Sequence, residues 1–132
     1  MATIKSTIKL ETSTLFPTPV SLTVPVTEQV NLDANFTSVT ILPNSEAIPY
    51  TSTDLNPSNV VYVYLQSPVS NTVNLDVFIT DHRDREMLAM IIRPGDFAWF
   101  PLATYGAGVE LRIVNNDISV SAALNVFYGE RG

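Results

Sequence analysis

The stretch Val73-Asn74-Leu75-Asp76-Val77-Phe78-Ile79-Thr80 places an aliphatic residue at every second position, with Asn74, Asp76, Phe78 and Thr80 between them. Successive side chains of a strand point to opposite faces, so a period of two marks a β-strand with one face in a core. The same alternation recurs downstream. Val109, Leu111 and Ile113 alternate with Glu110 and Arg112, and Ile118, Val120, Ala122, Leu124, Val126 and Tyr128 share one face of a last strand. Upstream, Ile4, Ile8 and Leu10 oppose Lys5, Thr7 and Lys9, and Val20, Leu22, Val24 and Val26 alternate with Ser21 and Thr23. Shorter pieces lie at Val30 and Leu32 and at Val39 and Ile41, which stop at Pro43. Val60 to Leu65 is apolar on both faces, the pattern of a strand that is central or has one face against a neighbour. Met87 to Ile92 and Phe97 to Leu102 flank Arg93-Pro94-Gly95-Asp96, read as a tight type II turn between antiparallel strands with Gly95 at positive φ.

Composition agrees. Val, Ile and Thr supply 38 of 132 residues, and such β-branched side chains suit a pleated surface. Nine prolines and ten asparagines interrupt the chain too often for long helices, and no window holds a helical apolar stripe. Eight to ten short strands spaced by turns every ~8–12 residues predict an all-β fold, an antiparallel β-sandwich of jelly-roll type. The length of 132 residues suits a single core. Residues 1–19 read as an N-terminal strand and extended arm, because Pro17 and Pro19 keep that segment out of a central ladder; residues 20–132 read as the sandwich. The stretch from Pro43 to Pro57 reads as a long surface loop.

Several function classes are poorly served. A net charge of −6, with only seven Lys and Arg, offers little to nucleic-acid phosphates. No apolar run is long enough to span a bilayer, and no signal-peptide stretch opens the chain. Absence of cysteine removes a disulfide framework, a thiolate zinc site and a cysteine nucleophile. One histidine, no nucleophile elbow and no Gly-rich phosphate loop argue against an enzyme and against a cofactor.

The densest charge is Asp81-His82-Arg83-Asp84-Arg85-Glu86, between two strands and so a hairpin tip. His82 with Asp81 and Asp84 could form an acid–base or cation site. The interleaved arginines instead favour a solvated turn that pairs with its own acids; Arg83 and Arg85 could still meet an acidic partner surface. Tyr62, Tyr64, Phe97, Trp99 and Phe100 could form a platform for a sugar ring; the competing expectation puts Phe97 and Trp99 in the core. Dispersed aspartates could also meet as a glycosidase-like pair, which the sequence does not show. On the arm, Phe16 is the expected partner contact, and Lys5 and Lys9 guard the strand's exposed face.

The run Arg93-Pro94-Gly95-Asp96-Phe97-Ala98-Trp99-Phe100-Pro101-Leu102 resembles a pattern of small all-β bacteriophage virion proteins, capsid decoration proteins among them: a strand, x-Pro-Gly-(Asp/Glu)-x, and a strand ending in Pro-Leu. Ser70-Asn71-Thr72-Val73-Asn74-Leu75 is similar to their polar entry into an alternating strand. Gly106 to Val109, Leu111 to Val114 and Ala122 to Tyr128 are similar to the family's segments downstream of the Pro-Leu strand. The resemblance covers about residues 60 to 129. It implies a virion structural protein of capsid decoration or cement type, assembled in the host cytoplasm. Its partners would be a major capsid protein or other virion subunits and further copies of itself, with neither nucleic acid nor membrane. The alternative from the residues alone is a carbohydrate- or receptor-binding sandwich.

Overall fold

The structure is a computed structural model and describes residues 2–12, 20–30, 35–52, 60–103 and 108–130. The elements in chain order are β1 (Ala2–Thr12), β2 (Val20–Val30), β3 (Asn35–Ile41), β4 (Ser45–Thr51), β5 (Val60–Gln66), β6 (Leu75–Thr80), β7 (Glu86–Ile92), β8 (Phe97–Ala103), β9 (Glu110–Asn115) and β10 (Ala122–Glu130). All are strands, as the period-two pattern predicts, and no helix occurs among the described residues.

β1 and β2 form a two-stranded sheet of their own, in unbroken antiparallel register from Ala2 opposite Val30 to Thr12 opposite Val20. The expected boundary between residues 19 and 20 falls between these two strands. Pro25 lies inside β2, opposite Thr7. A two-stranded sheet leaves each strand one free side, so a residue without an N–H is tolerated there.

The other eight strands make two antiparallel four-stranded sheets, ordered β3-β10-β5-β8 and β4-β9-β6-β7. From β3 to β10 every connection crosses from one sheet to the other except β6 to β7. That winding defines the jelly roll, a sandwich of two Greek keys. Between the sheets lies the core, where Ile41, Val61, Val63, Leu65, Leu75, Val77, Leu111, Ile113, Leu124 and Val126 are buried. Each fully buried Leu or Ile contributes roughly 1.5–3 kcal/mol. β5, apolar on both faces, sits inside its sheet between β10 and β8.

Three local expectations are corrected. The stretch from Pro43 to Pro57 is not one loop, because Ser45–Thr51 forms β4 and pairs with β9. A register shift between Ala47 and Tyr50 accommodates Pro49 in that edge strand. The Arg93-Pro94-Gly95-Asp96 turn has the expected local form: Gly95 has φ of 86° and the Asp96 N–H donates to the Arg93 carbonyl at 2.9 Å. It joins strands of opposite sheets, however, and not a hydrogen-bonded pair. Ile118 and Val120 precede the last strand, which begins at Ala122, and both are exposed.

Candidate functional site

The jelly-roll winding brings four connections to one end of the sandwich: residues 42–44, 67–74, 93–96 and 116–121. Hydrogen bonds tie them into a frame. The Asn44 N–H donates to the Asp117 carbonyl (2.8 Å), the Ser67 N–H to the Asp96 carbonyl (2.9 Å) and the Gly95 N–H to the Ser67 carbonyl (2.8 Å). Buried Asn71 pairs with Ala123 like a short strand, its Nδ2 donating to the Ala123 carbonyl and its Oδ1 accepting the Ala123 N–H. Nδ2 of buried Asn115 donates to the carbonyls of Ile41 and Val120 at 3.1 and 2.8 Å. A buried amide left without such partners costs about 1–3 kcal/mol, so these asparagines fix the loops in place.

That frame presents apolar side chains to solvent. Val69 is 85 % exposed, Ile118 88 % and Leu42 60 %, with Val120 and Phe97 beside them in the same connections and strand start. Ile118 sits on a turn closed by Asp117, whose Oδ1 accepts the N–H groups of Ser119 (2.8 Å) and Val120 (2.7 Å). Those backbone bonds, that of Ser119 foremost, hold the Asp117 carboxyl below its ordinary value. A rigid loop carrying an uncovered isoleucine has already lost the conformational entropy that binding would otherwise cost.

The outward face of the β3-β10-β5-β8 sheet is aromatic. The register sets Phe127, Tyr64 and Trp99 in one row across β10, β5 and β8. Tyr62 stacks on Trp99 with ring centroids 5.7 Å apart and planes 9° from parallel, and Phe97 lies 6.3 Å from Tyr64. Exposure falls along this face, from Phe97 at 57 % to Tyr62 at 8 %. A polar row runs alongside: Ser38 Oγ donates to Asn125 Oδ1 and Asn125 Nδ2 to Gln66 Oε1. Among the described residues no charged side chain stands on this face. The expectation that Phe97 and Trp99 enter the core is therefore reversed. Ala98, Phe100 and Leu102 face inward, because pairing opposite Val63 and Leu65 sets their parity.

The opposite sheet shows a different surface. Arg112 on β9 pairs with Glu46 on β4 at 2.6 Å and with Glu86 on β7 through both its Nη2 and its Nε. Its guanidinium also lies over the Phe78 ring on β6, 4.7 Å from the centroid. One side chain thus bridges all four strands. The hydrogen bonds from Arg112 hold the Glu86 carboxyl below its ordinary value, and the two glutamates raise the Arg112 guanidinium.

Of the residues that the sequence nominates, Phe16 lies outside the described residues. Lys5 is exposed on β1, and Lys9 stands on β1 opposite Thr23, its side chain outside the description. Arg83 and Arg85 are exposed on the β6–β7 turn, at the other end of the strands from the four connections. There Asp81 Oδ1 accepts the N–H groups of Arg83 and Arg85, and Oδ2 meets the Arg85 guanidinium at 2.7 Å. The Arg85 backbone bond leads in holding the Asp81 carboxyl down at about 2. The turn pairs within itself, and among the described residues no three His, Cys, Asp or Glu side chains could hold a metal ion. Sequence reasoning misses Leu42, Val69, Ile118 and Val120 as surface residues. The signal for Ile118 is the Asn115-Asn116-Asp117 turn before it, which ends the strand alternation.

No family model matches the chain, and no curated protein sequence matches it. Among solved structures the chain is similar to the Yersinia pseudotuberculosis-derived mitogen. The likeness covers 74 % of this chain and 85 % of that one, at 12 % identity and a TM-score of 0.45.

Proposed function

We propose that this chain is a non-catalytic structural subunit of a bacteriophage virion, of capsid decoration or cement type. On this reading it attaches to its neighbours through the apolar loop end. The observation that carries it is Val69 and Ile118, almost wholly exposed yet held on a hydrogen-bonded frame. Exposed apolar side chains gathered in one place mark a surface that meets another protein. The stretch that resembles phage virion proteins spans β5 to β10 and supplies three of the four connections at that end. Attachment would bury aliphatic surface without chemistry, each of the two side chains contributing about 1.5–2 kcal/mol. A sugar-binding reading would draw on Trp99 and Tyr62, but those two rings stack on each other and Tyr62 is 8 % exposed.

The test is attachment to particles. Antibody raised against the chain should label virus particles purified from cultures that express it from its native gene. Recombinant chain should rebind particles stripped of it. The double variant Val69→Ser/Ile118→Ser should remain folded and rebind roughly 100-fold more weakly, the equivalent of about 3 kcal/mol. Particles that lack the chain overturn the reading, as does undiminished rebinding by the double variant. Specific retention on a glycan array instead of on particles would select the sugar-binding alternative.

A further inference from the structure

We propose that the β1–β2 ribbon of one copy adds to the exposed β7 edge of a second copy and extends its β4-β9-β6-β7 sheet. This goes beyond the loop-end reading and uses neither Val69 nor Ile118.

Two surfaces of the chain are incomplete. The ribbon pairs only with itself, and an isolated two-stranded ribbon is marginally stable in water. β7 ends its sheet with one side unpaired. The other sheet edges are guarded or polar: β8 contains Pro101, β4 contains Pro49 and a register shift, and β3 exposes Ser38 and Thr40. β7 holds neither proline nor lysine. Its register shift opposite Val77 and Phe78 bends the strand but leaves apolar side chains on both faces. Met87, opposite Ile79 on the core side, is 64 % exposed, and Leu88 and Ile91 stand exposed on the outward side. An edge of that kind takes up another strand.

The ribbon matches that edge face by face. Residues directly opposite in an antiparallel ladder share a face. Ile8 and Leu10 of β1 thus lie on one face with Val24 and Leu22 of β2, and Lys5 and Lys9 lie on the other with Thr27 and Thr23. With the ribbon beside β7, its aliphatic face continues the core side at Met87. Its other face continues the outward side, where among the described residues Glu46, Asp76, Glu86 and Glu110 stand against Arg112 alone. Lys5 and Lys9 are the only lysines of the chain and outnumber Glu11 on their face. Residues 31–132 hold eleven acids and five arginines, so the lysines meet the chain's own excess of negative charge. β1 supplies the joining side, because β2 carries Pro25.

Covalent reach makes the edge that of another copy. Four residues, 31–34, link β2 to β3, and so short a link spans at most about 18 Å. β3 passes into β4 within three residues, so these two strands are neighbouring edges, and β7 is the far edge of the β4 sheet. At ordinary strand and sheet spacings, β2 would lie roughly 26 Å from β3 with β1 between it and β7, and roughly 22 Å if β2 itself joined. The ribbon cannot reach its own β7. Because the giving and receiving surfaces differ, each copy can do both, which builds a ring or an open row.

In sedimentation, the full chain should run as a multiple of 14.5 kDa. The chain has no cysteine, so introduced thiols report without background. Thr7→Cys and Leu88→Cys, both at exposed positions, are mixed as separate variants and joined with a short bismaleimide. A product holding one chain of each should form in greater yield than either variant gives alone. Leu88→Lys sets a like charge beside Lys5 and Lys9 at an exposed position, so the fold persists while the dissociation constant rises about ten-fold. Val69→Ser/Ile118→Ser should self-associate like the wild type, which separates this inference from the loop-end reading. A single-chain mass at about 100 µM overturns the inference. So does undiminished association of Leu88→Lys, or a mixture of the two cysteine variants that cross-links no better than each alone.

Discussion

Gly95 occupies φ of 86°, a conformation L side chains rarely adopt, and a Cβ built there meets Val69 Cγ1 at 3.2 Å. Gly108 has φ of 88° but nothing within 4 Å of such a Cβ. Both substitutions to alanine carry the left-handed backbone cost of about 1–2 kcal/mol, while only that at Gly95 also displaces a neighbour. Gly95→Ala should therefore lower stability in urea unfolding by about 2 kcal/mol, and Gly108→Ala by less. Equal losses would show that Val69 gives way freely. The sequence disclosed the conformation of Gly95, because Pro-Gly turn chemistry is a property of four consecutive residues. It did not disclose Val69 as the contact, which comes from another connection.

At the scale of the strand, β8 shows what alternation can and cannot decide. Period two separates Phe97 and Trp99 from Ala98 and Phe100 whatever the fold, yet both sets are apolar. The choice of inward set was made by register against β5, where Val63 and Leu65 face the core. On the other sheet the Arg112 bridge ties β4, β9, β6 and β7 together, and its stability should depend on pH. The Glu86 carboxyl is held below its ordinary value, 4.5, first by the hydrogen bonds of Arg112. A carboxyl depressed in the folded state adds stability that is present above its unfolded value and lost as pH falls. Arg112→Met should accordingly flatten the fall in Tm between about pH 5 and pH 3, measured by calorimetry. A slope as steep as that of the wild type would remove Arg112 as its source.

Across the whole molecule, the two ends of the jelly roll differ in kind. Four connections tied by Asn71 and Asn115 present apolar side chains at one end, and the self-paired Asp81–Arg85 turn closes β6 to β7 at the other. The β1–β2 pair shares no ladder with either sandwich sheet. Deleting residues 1–30 removes both partners of that sheet together and should leave a chain with the sheet signature in circular dichroism and a cooperative thermal transition. Deleting residues 1–19 alone strands the eleven-residue β2 without its partner, and an unpaired strand edge invites aggregation. A 1–30 deletion that fails to fold would show the pair to be integral to the sandwich.

By itself the sequence determined the all-β class, most strand positions and the conformation of the Gly95 turn. These follow from side-chain parity, β-branched content and turn residues, each a relation among neighbours along the chain. Only the tertiary structure decided that residues 45–51 form a strand of the second sheet, since Pro49 and its flanking turn residues read locally as loop. It alone decided that Ile118 and Val120 stand uncovered and that Trp99 faces outward. Which face of a strand meets the core depends on pairing partners tens of residues away. Parity along one strand leaves that sign undetermined.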